Sequence, residues 1–215
     1  MLLQRERELV AEYGRRLVRA GLASGTFGNL SVFDRAQGLM AISPSGMDYF
    51  QIEPDDVAVV GLDGAVLAGA KPSSEAELHL VFYRSRPDVC GVVHTHSPYA
   101  TTLACLGWGI EPVHYLAAYG GRAVPCIPYS PFGTQELARA ACGAMGADCD
   151  ACLLGGHGLV AVGRDLPFAF DAAQQLEFVA QITYRTRLAG GGAALTPEQL
   201  AYAAEKLRGY RRSFC

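Results

Sequence analysis

The chain has 215 residues, half of them apolar and 18% charged, with a formal net charge of −3 at pH 7. This length and composition suit one globular domain over residues 1–215 with a sizeable core. The weak negative charge argues against a nucleic-acid or membrane-surface partner. No apolar run approaches the roughly 18 residues that a membrane helix needs.

The N-terminus and the cysteines favour the cytoplasm. Residues 1–8 mix acidic and basic side chains and lack the apolar centre of a signal peptide. The seven cysteines have no disulfide-framework spacing, so we expect reduced thiols. Cys149 and Cys152 lead into a predicted strand, and no second pair exists to complete a structural zinc site.

Hydrophobic periodicity predicts helices and short strands in the first half of the chain. Leu9, Val10, Tyr13 and Leu17 recur at helical spacing. The predicted elements are a helix over 2–20, strands near 30–33, 39–42, 57–60 and 65–68, and a helix over about 74–85 with Ser73 or Ser74 as its N-cap.

The second half continues the same alternation. We predict a strand over 89–95, a helix over 97–106, a strand near 123–127, a helix from Thr134, strands near 151–154 and 158–162, a helix over 165–188 and a last helix after Thr196. Short strands with hairpin turns favour antiparallel pairing. We therefore expect an α/β fold of three layers, with one central, mostly antiparallel sheet covered by helices on both faces.

Three histidines at the ends of apolar segments form a candidate metal site. His94 and His96 end the strand predicted over 89–95, and residues i and i+2 of a strand point to the same face. His157 lies in a Gly-Gly-His-Gly turn between two later strands. Burying a polar imidazole ring costs free energy unless the ring has a partner. Three imidazoles that leave one position open are the ligand set of a catalytic zinc ion.

Glu75 is the candidate carboxylate for this site. A carboxylate at a helix start is favoured by the helix dipole, and that account suffices for Glu77. Near three imidazoles, Glu75 could ligate the metal, act as a general base, or do both in turn. For His79, one helical turn later, we expect packing or support.

Segments of small residues are candidate phosphate sites. Residues 25–29, 43–46 and 73–74 offer backbone N–H groups and hydroxyls, the last pair at a helix N-terminus, where anions are stabilised. None matches a nucleotide-binding glycine motif. Taken singly, each is more typical of an ordinary turn.

In their order along the chain, these motifs resemble the class II aldolase/adducin family. The resemblance runs from about residue 14 to 212, and within the family it is strongest to aldolases of L-fuculose 1-phosphate. It rests on residues 21–22, 25–31, 43–46, 72–75, 85–88, 92–96, 114–115 and 157–159. The chain departs from those aldolases at Phe27, where a small residue is common.

The resemblance implies a role for each motif. His94, His96 and His157 hold Zn²⁺, with Mn²⁺ or Co²⁺ also acceptable, and Glu75 ligates the metal until substrate binds and then acts as acid and base. The implied phosphate ligands are Gly28, Asn29, Ser45, Gly46, Ser73 and Ser74. Tyr115 exchanges the proton of the aldehyde oxygen, and Tyr210 adds a hydroxyl from a neighbouring subunit. The implied assembly is a C4 homotetramer with active sites at subunit interfaces.

The implied activity is that of a class II aldolase. It cleaves a ketose 1-phosphate such as L-fuculose 1-phosphate, reversibly, into dihydroxyacetone phosphate and a small aldehyde through a metal-stabilised enediolate. Such chemistry needs no lysine Schiff base, and neither Lys71 nor Lys206 lies in an apolar segment suited to one.

Other activities of the family remain open. The resemblance implies that its pentulose-phosphate 4-epimerases use an Asp in the loop after the histidine pair, and residues 97–132 contain none. Dehydratases, decarboxylases and aldolases of 5-deoxypentulose phosphates share the metal motif. A metal-free, adducin-like binding module is the alternative of a different class, and the presence of Glu75 and the three histidines argues against it.

Overall fold

An eight-stranded β-sheet runs through the centre of the described part of the protein. The computed structural model describes residues 1–212, and side chains up to residue 207. The strands are β1 (Asn29–Asp34), β2 (Leu39–Ile42), β3 (Ala58–Gly61), β4 (Val66–Ala68), β5 (Gly91–Thr95), β6 (Cys126–Ile127), β7 (Ala151–Leu154) and β8 (Gly158–Gly163). Their order is β4-β3-β2-β1-β5-β8-β7-β6, and every neighbouring pair is antiparallel except β6 and β7.

Helices cover both faces of this sheet. They are α1 (Gln4–Arg19), α2 (Ala76–Ser85), α3 (Pro98–Leu106), a 3₁₀ helix (Tyr115–Gly120), α4 (Gln135–Met145), α5 (Leu166–Leu188) and α6 (Pro197–Arg212). Apolar residues of α2 and α4 form one core layer, and those of α1, α3 and α5 form the other. The predicted three-layer, mostly antiparallel fold is confirmed. None of the helices within residues 1–212 has the length and apolarity that a bilayer crossing requires.

Strand alternation decides which side chains face α2. On β5 and β8, Val92 and Val160 join the α2–α4 layer, whereas Val93 and Leu159 join the opposite layer. Successive side chains of a strand point to opposite faces. His94 follows Val92 by two residues and therefore lies on the face that α2 covers.

Three local predictions differ from the structure. Helix α2 begins at Ala76 with Glu75 as its N-cap, because the Ser73 hydroxyl accepts the Glu75 N–H, at 3.2 Å, in a turn before the helix. The strand predicted near 123–127 shrinks to β6, since Pro125 and Pro128 flank it and proline cannot donate to a strand ladder. Residues 115–120, which lie between the helix predicted over 97–106 and the strand predicted near 123–127, form the 3₁₀ helix.

Arg86 anchors the C-terminal end of α2. Its guanidinium pairs with Asp88 at 2.7 Å and Asp150 at 3.0 Å, and donates to the Gly146 and Cys149 carbonyls at 3.0 Å. The hydrogen bond from Arg86 holds the pKa of Asp88 below its usual value. This part of the 85–88 motif therefore fixes the helix that carries Glu75.

Candidate metal centre and adjoining cavity

Four side chains converge where α2, β5 and the β7–β8 turn meet. Glu75, His94, His96 and His157 each offer one ligand atom, and these atoms all lie within 4.8 Å of one another. The ring centroids are 4.8 Å apart for His94 and His96, 4.7 Å for His94 and His157, and 5.0 Å for His96 and His157. The imidazoles thus surround one point at nearly equal spacing.

The sheet register holds the three histidines in place. His94 on β5 stands opposite Asn29 on β1 and Val160 on β8, and His157 precedes the first residue of β8. A Cβ atom on Gly158 would lie 2.2 Å from the Thr95 carbonyl oxygen, so glycine is needed for β8 to approach the end of β5. This close approach brings His157 to the histidine pair.

Glu75 faces the imidazoles from the start of α2. Its Oε2 accepts from Asn29 Nδ2 at 3.0 Å and lies 3.2 Å from His94 Nε2. Its Oε1 lies 3.4 Å from His157 Nε2 and accepts no hydrogen bond from any described residue. One carboxylate oxygen is held, and the other is available to a ligand or a proton.

The donor set fits a divalent cation. His94 Nδ1 donates to the Leu159 carbonyl at 2.9 Å, which leaves an Nε2 lone pair directed at the cluster. The Nε2 atoms of His94 and His96 are 2.9 Å apart. Two nitrogen lone pairs at this distance repel unless a proton or a cation lies between them, and the buried Oε1 of Glu75 needs a partner as well.

Protonation favours the same conclusion. Burial lowers the pKa of both His96 and His157 to about 4. Burial raises the pKa of Glu75, but the combined influence of His94, His157 and Asn29 outweighs it and holds that pKa well below its usual value. At neutral pH His96 and His157 therefore offer lone pairs and Glu75 offers a negative charge, as members of a metal ligand set must.

A cavity of about 340 Å³ opens beside the cluster. All the predicted phosphate ligands line it, together with Glu75, His96 and His157; they are Gly28, Asn29, Ser45, Gly46, Ser73 and Ser74. Backbone hydrogen bonds from Ser45 to Lys71 at 2.9 Å and from Ser73 to Ser43 at 3.0 Å join the two serine-bearing loops. The structure thus assembles small-residue segments that are remote in sequence.

Gly28 and Tyr49 shape the first of these loops. Gly28 has a φ of +74°, and a Cβ atom there would lie 2.9 Å from the His94 carbonyl oxygen. The buried Tyr49 hydroxyl donates to the Gly28 carbonyl at 2.9 Å and lies 3.4 Å from the Ser43 hydroxyl. Sequence analysis missed Tyr49, because no local pattern shows that it packs under this loop.

Aromatic side chains line the outer part of the cavity. They are Phe27, Tyr129 and Phe132, each more than 60% exposed. The Phe27 ring stacks on His96, with centroids 5.8 Å apart and planes 23° apart. Sequence analysis noted Phe27 only as a departure from the family and missed Tyr129 and Phe132, which follow the shortened strand β6.

The structure does not bring Tyr115 to the cluster of its own chain. Tyr115 begins the 3₁₀ helix, is 51% exposed, packs against His114 and is not among the residues that line the cavity. Tyr210 belongs to α6 but falls outside the residues whose side chains the structure describes. The roles of both tyrosines remain predictions.

Comparison with known proteins gives consistent matches. The family model described as Class II Aldolase and Adducin N-terminal domain matches residues 8–184. A 5-deoxy-D-ribulose 1-phosphate aldolase of Bacillus thuringiensis serovar kurstaki is 48% identical over 211 residues, 98% of this chain and 99% of that one. The L-fuculose phosphate aldolase of Escherichia coli K12 is 38% identical over 197 residues, 90% of each chain. A solved L-fuculose 1-phosphate aldolase has a TM-score of 0.91 at 39% identity, covering 94% of this chain and 96% of that one.

Metal analysis of purified variants tests the cluster. His94→Ala and His157→Ala each remove one imidazole, and we expect both to lower the bound divalent metal well below the wild-type stoichiometry. His114→Ala removes a histidine outside the cluster and is the matched control. Full metal content in either cluster variant, measured by atomic emission after dialysis, would count against this site.

Proposed function

The chain belongs to the class II aldolase and adducin family, and on that premise we propose that it is a metal-dependent aldolase of ketose 1-phosphates. The proposed reaction is reversible cleavage into dihydroxyacetone phosphate and a small aldehyde. One observation carries the proposal. A single cavity is lined both by the small-residue loops suited to a phosphate and by members of the Glu75–histidine cluster.

We propose Zn²⁺ as the cation, held by His94, His96, His157 and, before substrate binds, Glu75. Imidazole and carboxylate ligands suit Zn²⁺, although Mn²⁺ and Co²⁺ bind to similar sets. When bound, the cation supplies Lewis-acid stabilisation of the negative charge that develops on substrate oxygens.

The phosphate loops supply binding and orientation. Hydroxyls of Ser45, Ser73 and Ser74, the Asn29 amide and backbone N–H groups near Gly46 are donors suited to a phosphate. Ser73 and Ser74 also precede helix α2, whose N-terminal dipole favours an anion. Binding the remote phosphate fixes the reacting carbons relative to Glu75.

Glu75 is the proposed acid and base at C3. In cleavage, the C4 hydroxyl loses its proton, C4 becomes the aldehyde carbonyl, and the C3–C4 bonding pair moves to C3 to give an enediolate. Glu75 then returns a proton to C3, which completes dihydroxyacetone phosphate. In the reverse direction its carboxylate removes that proton. Asn29 holds Oε2, so Oε1 is the oxygen left for this transfer.

We propose that Tyr115 takes the C4 hydroxyl proton in the active site of a neighbouring subunit. Tyr115 is exposed and is not among the residues that line the cavity of its own chain, and both observations support this assignment. The assignment agrees with the homotetramer of fourfold (C4) symmetry that the sequence resemblance implies. In that assembly Tyr210 would add a further hydroxyl at the interface.

The proposed substrates end in a methyl group. The exposed aromatic rings of Phe27, Tyr129 and Phe132 give the cavity an apolar outer wall. The names of the relatives give L-fuculose 1-phosphate and 5-deoxyribulose 1-phosphate as substrates. Both compounds carry a terminal methyl group that suits such a wall.

An assay of dihydroxyacetone phosphate release tests the proposed activity. We expect release from L-fuculose 1-phosphate or 5-deoxyribulose 1-phosphate, loss on chelation and recovery on adding Zn²⁺. Ribulose 1-phosphate, with a hydroxyl in place of the methyl hydrogen, should have a kcat/KM lower by about 10–100-fold. Release that survives complete metal removal, or no release from any ketose 1-phosphate, would contradict the proposal.

Glu75→Gln tests the acid–base role. We expect a folded protein whose turnover falls by about 10²–10⁴-fold, the usual contribution of a general acid or base. Glu77→Gln is the matched control on the same helix, where Glu77 pairs with Arg84. Near-normal turnover by Glu75→Gln would remove this residue from the mechanism.

Subunit mixing tests the placement of Tyr115. Glu75→Gln and Tyr115→Phe should each be inactive alone, and co-expression should restore about one quarter of wild-type activity if a C4 ring combines the two residues across an interface. Mixing Glu75→Gln with His94→Ala is the control, because both changes affect one cluster and restore nothing. No recovery in the first mixture would refute a shared site.

A further inference from the structure

A buried row of polar side chains lies behind the metal cluster, between β1 and α2. Residues 29 and 31 share one face of β1, residues 79 and 83 share one face of α2, and the N-cap Glu75 precedes His79 by four residues. Tyr83 OH lies 2.6 Å from Ser31 Oγ, Ser31 Oγ lies 2.6 Å from His79 Nδ1, and His79 Nε2 lies 2.5 Å from Asn29 Oδ1. Asn29 Nδ2 then donates to Glu75 Oε2 at 3.0 Å.

The direction of donation along this row is fixed from the Glu75 end. The Glu75 carboxylate is an acceptor, so Asn29 must present its NH₂ group to it and its Oδ1 to His79. His79 therefore carries its proton on Nε2 and accepts at Nδ1 from Ser31, whose oxygen accepts from Tyr83. Each hydrogen bond in the row donates toward the carboxylate.

We propose that His79 is a positioning residue that fixes the Asn29 amide and, through it, the orientation of the Glu75 carboxylate for proton transfer. The inference rests on the proposed function in one respect, namely that Glu75 moves a proton. It assigns His79 a directional role, where sequence analysis expected packing or support.

The chemistry of His79 suits this role. Its side chain is fully buried, and burial lowers its pKa to about 3, so the ring is neutral with a single N–H. With its proton on Nε2, the neutral ring can hold the Asn29 amide only with Oδ1 toward the imidazole. If His79 is lost, that amide can rotate and turn its oxygen toward the Glu75 carboxylate, which repels it.

A pair of substitutions separates positioning from packing. His79→Leu fills the space without a donor, whereas His79→Gln keeps an N–H group able to reach Asn29 Oδ1. For His79→Leu we expect kcat to fall by about 10–100-fold, as for other groups that orient metal ligands. His79→Gln should stay within about 3-fold of wild type, although it too loses the Ser31 contact.

Two measurements report this difference. One is the rate at which dihydroxyacetone phosphate exchanges its C3 proton with deuterated water, which isolates the Glu75 step from the aldehyde. The other is Zn²⁺ affinity from competition with a chromophoric chelator, which needs no activity and should weaken by about 10-fold in His79→Leu but not in His79→Gln. Leu80→Val, at a buried neighbouring position of α2, controls for lost stability.

Each outcome decides the inference. Equal losses in the Leu and Gln variants, or no loss in either measurement, would overturn it. If His79→Leu does not fold, Ser31→Ala replaces it. We expect its rate of C3 proton exchange to fall by about 2–10-fold, because one hydrogen bond to His79 is lost. A wild-type exchange rate in Ser31→Ala would overturn the inference. Inactive wild-type protein would refute the proposed function instead, and Zn²⁺ affinity would still test the positioning role.

Discussion

The hydrogen bond between Asn29 and Glu75 joins the two elements on which the site depends. Strand β1 places Asn29 opposite His94 of β5, and helix α2 begins immediately after Glu75. Two of the phosphate loops, residues 25–29 and 73–74, lie at the starts of the same two elements, and the third, residues 43–46, follows β2. Any shift of α2 along the sheet would separate the carboxylate from the imidazoles. Apolar packing of α2 on the sheet and the ion pairs of Arg86 at its other end resist such a shift.

Electrostatics explains why this cluster needs a cation. Burial keeps His96 and His157 neutral, so their lone pairs and the Glu75 carboxylate face one another at short range. Unpartnered polar atoms in a poorly solvated setting cost free energy. A divalent cation bound in the folded state would offset that cost and stabilise the protein by linkage. Among the described residues that line the cavity, Glu75 is the one acidic or basic side chain other than histidine, which suits the proton exchange proposed for it.

Much of this site could be predicted from sequence, because its parts are local. Strand periodicity predicts a shared face for His94 and His96, and alternating helices and short strands predict the layered, mostly antiparallel sheet. The approach of His157 to the other two histidines depends on pairing between β8 and β5, which no local pattern encodes. That part of the prediction therefore rested on the order of the family motifs along the chain. The cavity-lining Tyr129 was missed, and for His79 the sequence predicted packing or support but not the contact with Asn29, because both features depend on tertiary packing. For His79, its spacing from Glu75 was the one available signal.

X-ray absorption spectroscopy of the protein loaded with Zn²⁺ tests the central claim most directly. We expect a first shell of three imidazole nitrogens and one carboxylate oxygen, all at about 2.0–2.2 Å from the zinc ion. In Glu75→Gln the carboxylate contribution should disappear while the imidazole scattering remains. Sulfur scattering at about 2.3 Å, or a first shell without imidazole, would contradict the account, because the metal would then lie elsewhere in the protein.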